Sequence, residues 1–183
     1  EKLDETVMPL LPYADSLMLT RGALRYYVPS SVDVPIILRV SGGTSILNKH
    51  MLHEGIAVGI EDAIRLNVAA VAFSIMVGAD YERDTLLTFT KMIDDAERYG
   101  IPTLAVTAVG KNLVRDAKYL SLASRLAAEL GARIVKTYFC DDFERVIQTC
   151  PVPVVIAGGK KIPEKEALSM AYQAIQTGAA GVD

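Results

Sequence analysis

One lysine stands out among the residues able to do chemistry. Lys136 lies inside Arg133-Ile134-Val135-Lys136-Thr137-Tyr138-Phe139, a run rich in β-branched and apolar residues. A strand of that composition carries its lysine into an interior or to the mouth at its C-terminal end. Burial there disfavours the ammonium form. The neutral amine that results can attack a ketone and form a Schiff base. The competing roles for such a lysine are an edge position and a buried ion pair.

A second signal is Ala157-Gly158-Gly159-Lys160-Lys161, directly after the apolar run Pro153-Val154-Val155-Ile156. Glycines let a backbone approach an anion closely, and phosphates bind bare N–H groups where a strand turns into a helix. An ordinary turn uses the same residues. The two signals reinforce each other, because each falls toward the C-terminal side of consecutive strand-like runs. Other runs end in Thr20-Arg21-Gly22, Ser41-Gly42-Gly43-Thr44-Ser45 and Thr107-Ala108-Val109-Gly110-Lys111. In a barrel all of these line one mouth, although each taken singly is an ordinary turn.

His50 and His53 stand three apart with no third ligand nearby, so they read as loop histidines and no metal site is expected. Cys140 and Cys150 have neither metal spacing nor a disulfide framework around them. They read as reduced thiols in or beside the core, which fits a cytoplasmic protein.

The elements that must position these residues alternate along the chain. Strand-like runs fall at Ser16–Thr20, Pro35–Ser41, Ala70–Met76, Thr103–Val109, Arg133–Phe139 and Pro153–Ala157, with the start of another at Ala180–Asp183. They are apolar on both faces, as parallel strands covered by helices must be. Helical spacing appears over Glu61–Asn67, Asp84–Tyr99, Ala117–Leu130 and Pro163–Gln176, and an opening helix is expected over Leu3–Leu11. Gly100 with Pro102, and Gly131, supply the stops. The rhythm alone allows either a doubly wound sheet or a barrel. No G-x-G-x-x-G turn and no G-x-x-x-x-G-K-[ST] loop is present. The repeat of about 30 residues per strand–helix unit suits an eight-fold barrel. The expected fold is therefore α/β, a single (β/α)8 TIM-barrel domain over 1–183 lacking its first strand and the end of its last.

Composition is that of a globular chain rather than a disordered one. Hydrophobic residues make up 51% and charged residues 22% of the 183, and the formal net charge is −3. No basic stripe invites nucleic acid, and no apolar run approaches the roughly 20 residues of a membrane span. No secretory signal pattern opens the chain.

At the lysine and the glycine pair the chain resembles the class I, Schiff-base aldolases of the DeoC/archaeal fructose-bisphosphate aldolase group. The resemblance rests on Thr20-Arg21-Gly22, Ser41-Gly42 with Ser45-Ile46-Leu47, Ile134-Val135-Lys136-Thr137-Tyr138, Cys150-Pro151-Val152-Pro153 and Ile156-Ala157-Gly158-Gly159-Lys160-Lys161. It covers nearly the whole chain and implies a (β/α)8 barrel, usually a decamer of two stacked rings. By resemblance, Lys136 is the Schiff-base lysine, and Gly158 and Gly159 form the phosphate-binding turn. Lys160 and Ser41 are the further candidates for holding substrate.

The branch that the chain is most similar to acts late in autoinducer-2 degradation. It transfers acetyl from a phosphorylated dione to coenzyme A, leaving dihydroxyacetone phosphate. The implied partners are that phosphorylated substrate and coenzyme A as co-substrate, with no resident cofactor. Many relatives in the group carry an acid–base tyrosine where this chain reads Thr107-Ala108-Val109-Gly110, and its absence weakens a simple aldolase reading. An aldolase or deoxy-sugar synthase acting on a phosphorylated sugar is the alternative. A non-catalytic barrel that binds a phosphorylated ligand is a third, disfavoured because an idle buried amine costs stability.

Overall fold

The computed structural model describes residues 2–45, 47, 53–110 and 113–183. Seven parallel strands form one sheet: β1 (Leu17–Thr20), β2 (Ile36–Arg39), β5 (Ala70–Val77), β6 (Thr103–Val109), β7 (Ile134–Tyr138), β8 (Val154–Ala157) and β9 (Gly181–Val182). A two-stranded antiparallel hairpin, β3 (Ser41–Gly42) with β4 (Gly55–Ile56), caps the end of β2. The seven strands neighbour one another strictly in chain order. A doubly wound sheet reverses its order partway, whereas a (β/α) barrel does not. The order therefore resolves the ambiguity that rhythm alone leaves open. Among the described residues β1 and β9 are the two edges of an incomplete barrel wall.

Helices cover the outside. They are α2 (Arg21–Tyr27), α3 (Ile60–Arg65), α4 (Glu82–Glu97), α5 (Ala117–Glu129), α6 (Phe143–Thr149) and α7 (Glu164–Thr177). Alternation along each strand divides the sheet into two faces. Leu38, Val71, Phe73, Ile75, Val135 and Ile156 join Phe89, Met92, Ile93, Leu120 and Val146 from the helices in the main core. The Phe73 and Phe89 rings meet at 5.6 Å between centroids. The intervening residues face the barrel interior. Register aligns Ser74, Val106, Lys136, Val155 and Gly181 in one row across five strands. Gly100 and Gly131 take positive φ as expected of helix stops, and Gly178 does the same after α7.

Three expectations need correction. The helix expected over Leu3–Leu11 is a single α-turn, α1 (Leu3–Thr6), followed by a 3₁₀ turn at Met8–Tyr13. Pro9 and Pro12 cause this, because each lacks an N–H donor and disfavours helix in the residue before it. Thr20-Arg21-Gly22 is no turn but the start of α2, where the Thr20 hydroxyl accepts from the Ala23 N–H. Ser41-Gly42 is likewise a strand of the capping hairpin.

Candidate active site

Lys136 is 7% exposed and sits on the inner face of β7. Its neighbours Val135 and Thr137 turn to the helix side and are fully buried there. The Thr107 hydroxyl donates to the Lys136 carbonyl at 3.4 Å, tying β6 to β7 at this residue. The Lys136 Nζ donates to the Asp183 carboxylate, which lies just past β9. The buried ion pair weighed as one role for Lys136 is therefore present. Asp183 follows β9 on the C-terminal side of the sheet, so the pair lies at the barrel mouth.

The glycine turn lies beside this pair. Gly159 has φ +71°, a conformation that side chains resist. A Cβ on Gly158 would come within 3.1 Å of the Asp183 carbonyl oxygen. A side chain at Gly158 would therefore press β8 away from the end of β9. Beyond the turn, α7 begins with Glu164, and Lys160 is exposed between turn and helix. Tyr138, two residues past Lys136, stacks under the Arg115 guanidinium at 3.8 Å. A Cβ on Gly159 would stand 3.9 Å from the same ring. Arg115 therefore brings a further positive charge to the rim by the glycines.

On the opposite side of the mouth, Glu54 is 8% exposed and anchors two groups. Arg39 Nη2 donates to Glu54 Oε1 at 2.5 Å, and the Ser41 hydroxyl donates to Glu54 Oε2 at 2.5 Å. The Ser41 hydroxyl also accepts from the Ser74 N–H at 3.0 Å. Ser41 is thereby joined to Ser74 in the lysine's own row. Its hydroxyl is spent on protein partners, which makes it a support for Arg39 and Glu54. His53 stacks on Tyr81 with ring centroids 4.1 Å apart, while His50 lies outside the described residues. No group of three His, Cys, Asp or Glu among the described residues could hold a metal ion.

Neither cysteine is an activated nucleophile. Burial, aided by the charges of Asp141, Asp116 and Asp142, pushes the Cys140 thiol up to about 11. Burial likewise raises Cys150, which lies in the core with its thiol toward the Ser124 carbonyl. At the end of β6, a Cβ on Gly110 would fall 2.5 Å from the Gly78 carbonyl oxygen. A side chain at Gly110 would require that backbone to move.

Sequence reasoning brought Lys136 and the glycine turn to one mouth and missed Asp183, Glu54, Arg39 and Arg115. The apolar setting of Arg39 within Pro35–Ser41 was an available signal, of the same kind as that of Lys136.

An inward lysine on a parallel strand, at the C-terminal mouth of a barrel-type sheet, defines a class of barrel enzymes. Within it, the chain belongs to the DeoC/LacD family of aldolases, whose model matches residues 3–183. It is 55% identical to the 3-hydroxy-5-phosphonooxypentane-2,4-dione thiolase of Photorhabdus laumondii, with all of this chain and 63% of the relative covered. It is 53% identical to the protein of the same name in Yersinia pestis (strain Pestoides F), with the same coverage. The chain thus spans about 63% of the length of these curated relatives. Among solved structures, a Schiff-base-forming fructose-1,6-bisphosphate aldolase superposes with TM-score 0.86 at 26% identity, covering 94% of this chain and 71% of that one. An archaeal fructose-1,6-bisphosphate aldolase, with its catalytic lysine covalently bound to a carbinolamine intermediate, gives TM-score 0.85 at 25% identity, covering 94% and 70%.

Proposed function

We propose that this protein is a Schiff-base acyltransferase. It cleaves 3-hydroxy-5-phosphonooxypentane-2,4-dione and passes the acetyl group to coenzyme A, giving acetyl-CoA and dihydroxyacetone phosphate in autoinducer-2 degradation. The observation that carries this reading is the burial of Lys136 on the inner face of β7, beside the exposed Gly158-Gly159 turn. Two relatives above 50% identity bearing that substrate in their names point to the same chemistry.

The Lys136 amine condenses with the ketone next to the phosphorylated carbon, releasing water and leaving an iminium. A thiolate adds to the other ketone carbon. The bond between that carbon and the hydroxyl-bearing carbon breaks, and its electron pair moves into the iminium. This leaves the thioester and an enamine. Protonation of the enamine and hydrolysis of the imine release dihydroxyacetone phosphate and restore Lys136. The turn at Gly158 and Gly159, with Lys160 and the start of α7, holds the phosphate. Ser41 contributes by fixing Glu54 and Arg39 opposite.

The acceptor thiol is supplied from outside. Cys140 and Cys150 are both held protonated, which favours coenzyme A over an internal thiol. The working form is a cytoplasmic homo-oligomer, a decamer by resemblance. Exposed apolar residues such as Leu87, Leu122 and Leu168 suit contacts between copies.

A retro-aldol enzyme acting on a phosphorylated sugar would use the same lysine without a thiol. The deciding assay mixes the full-length protein with the phosphorylated dione and coenzyme A. Acetyl-CoA from the unsubstituted protein and none from Lys136→Ala is the expected result. No acetyl-CoA from a folded protein overturns the thiolase reading, and release of triose phosphate from a phosphorylated sugar would then favour the aldolase.

A further inference from the structure

Imine formation requires the lysine to give up a proton before it attacks and to regain one as water leaves. In the ion pair Lys136 is the donor, and its nitrogen has no lone pair free for attack. A group that touches the nitrogen must therefore take the proton. Asp183 is the carboxylate that meets the Lys136 Nζ. Among the described residues, the other acids near the mouth are committed elsewhere. Glu54 is bound to Arg39 and Ser41 on the far side, and Asp116 accepts from the Tyr119 N–H at 3.0 Å.

The backbone holds Asp183 firmly for this task. Its N–H donates to the Ile156 carbonyl at 2.9 Å, extending the β8–β9 ladder to the residue itself. Its carbonyl oxygen packs against Gly158, as described above. Asp183 is thus placed on one side by the strand that precedes the glycine turn and on the other by Lys136.

Resting on the Schiff-base reading of Lys136, we propose that Asp183 is the acid–base residue of imine formation. The Asp183 carboxylate takes a proton from the Lys136 ammonium. The neutral amine forms the C–N bond, and the proton that the nitrogen then sheds passes to the ketone oxygen to give the carbinolamine. The Asp183 carboxylic acid then donates to the carbinolamine hydroxyl. The C–O bond breaks, water leaves, and the nitrogen lone pair completes the iminium. Ammonium plus ketone thus gives iminium plus water, and Asp183 returns to its carboxylate form.

Borohydride trapping of dihydroxyacetone phosphate on the full-length protein isolates this step, because it needs no thiol. Asp183→Asn and Asp183→Ala should trap at least about 100-fold more slowly than the unsubstituted protein, the usual scale of a lost proton-transfer group. Added formate should restore part of the rate to Asp183→Ala, which a merely structural role would not allow. Asp183→Asn trapping as fast as the unsubstituted protein, or loss in Asp183→Ala without formate rescue, overturns the proposal. No trapping by the unsubstituted protein overturns the Schiff-base reading, and this proposal with it.

Discussion

Lys136 on β7 reaches past β8 to pair with Asp183 at the end of β9. One strand, β8, lies between theirs, and the two side chains meet across it on the inner face of the curled sheet. The pair occupies the inner face, where the strand alternation leaves polar residues free of the helix-side core. It also sits at the C-terminal ends of the strands, the side on which barrel enzymes build their sites. A lysine already bonded to a proton acceptor is prepared for a reaction whose first step is its own deprotonation.

The opposite wall depends on Glu54. Replacing it with alanine leaves Arg39 and Ser41 without their acceptor in a largely buried place. Breaking a fully buried pair costs about 3–5 kcal/mol, and the partial exposure of Arg39 reduces this to about 1–3 kcal/mol. Urea denaturation of Glu54→Ala should show that loss, and Ser41→Ala a smaller one. An unchanged denaturation midpoint for Glu54→Ala would show that the network contributes nothing to stability.

The two glycines of the turn should fail in different ways. Gly159→Ala meets only the Tyr138 ring, at an ordinary 3.9 Å, but a left-handed backbone, costing about 1–2 kcal/mol and disturbing the proposed phosphate turn. Its main kinetic effect should be a raised KM for the phosphorylated substrate. Gly158→Ala presses on the Asp183 carbonyl oxygen at 3.1 Å. It should lower kcat by displacing Asp183 from Lys136. Steady-state kinetics of both variants separate the two effects, and identical profiles would contradict them.

Much of this fold was legible because long parallel strands are apolar on both faces. Thr103–Val109 was read to the residue, and β5 to within one. The helical spacing of α4, α5 and α7 was equally plain. Short elements were less visible. In α6, Phe143–Thr149 is only two turns long and follows Asp142 in the left-handed region, so no stripe or cap announces it. Gly22 disguised α2 as a turn. At the candidate site, the burial of Lys136 follows from its apolar setting and the turn at the glycines from their place after a strand. The Lys136–Asp183 pair is not legible, because it forms across three strands and leaves no local pattern.

Cys140 should be inert. With its thiol pushed up to about 11 from 9.0, the thiolate fraction at neutral pH falls by about 100-fold. Alkylation by iodoacetamide should be correspondingly slow until the protein is unfolded. Cys140→Ser should keep its acetyl-CoA production, whereas loss of activity with intact folding would reopen an internal acyl carrier.

A pH effect is expected at Asp62. Hydrogen bonds from Arg65 and Arg21, with Arg25 nearby, hold the Asp62 carboxyl down at about 2. A lowered value stabilises the fold above the ordinary carboxylate value of 3.8, and that stabilisation is lost as pH falls through about 2. Asp62→Asn should therefore be less stable than the unsubstituted protein at neutral pH. The gap between their urea midpoints should narrow from about pH 4 downward. A gap that stays constant over that range would show that the carboxylate charge is not its source.

Everything proposed for the mouth rests on a covalent bond between substrate and Lys136. Borohydride reduction with dihydroxyacetone phosphate, followed by peptide mass mapping, reads that bond directly. A single adduct on the peptide carrying Lys136, absent from Lys136→Ala, is the expected result. An adduct on Lys160 or Lys161 instead, or no adduct on a protein that still makes acetyl-CoA, would contradict it.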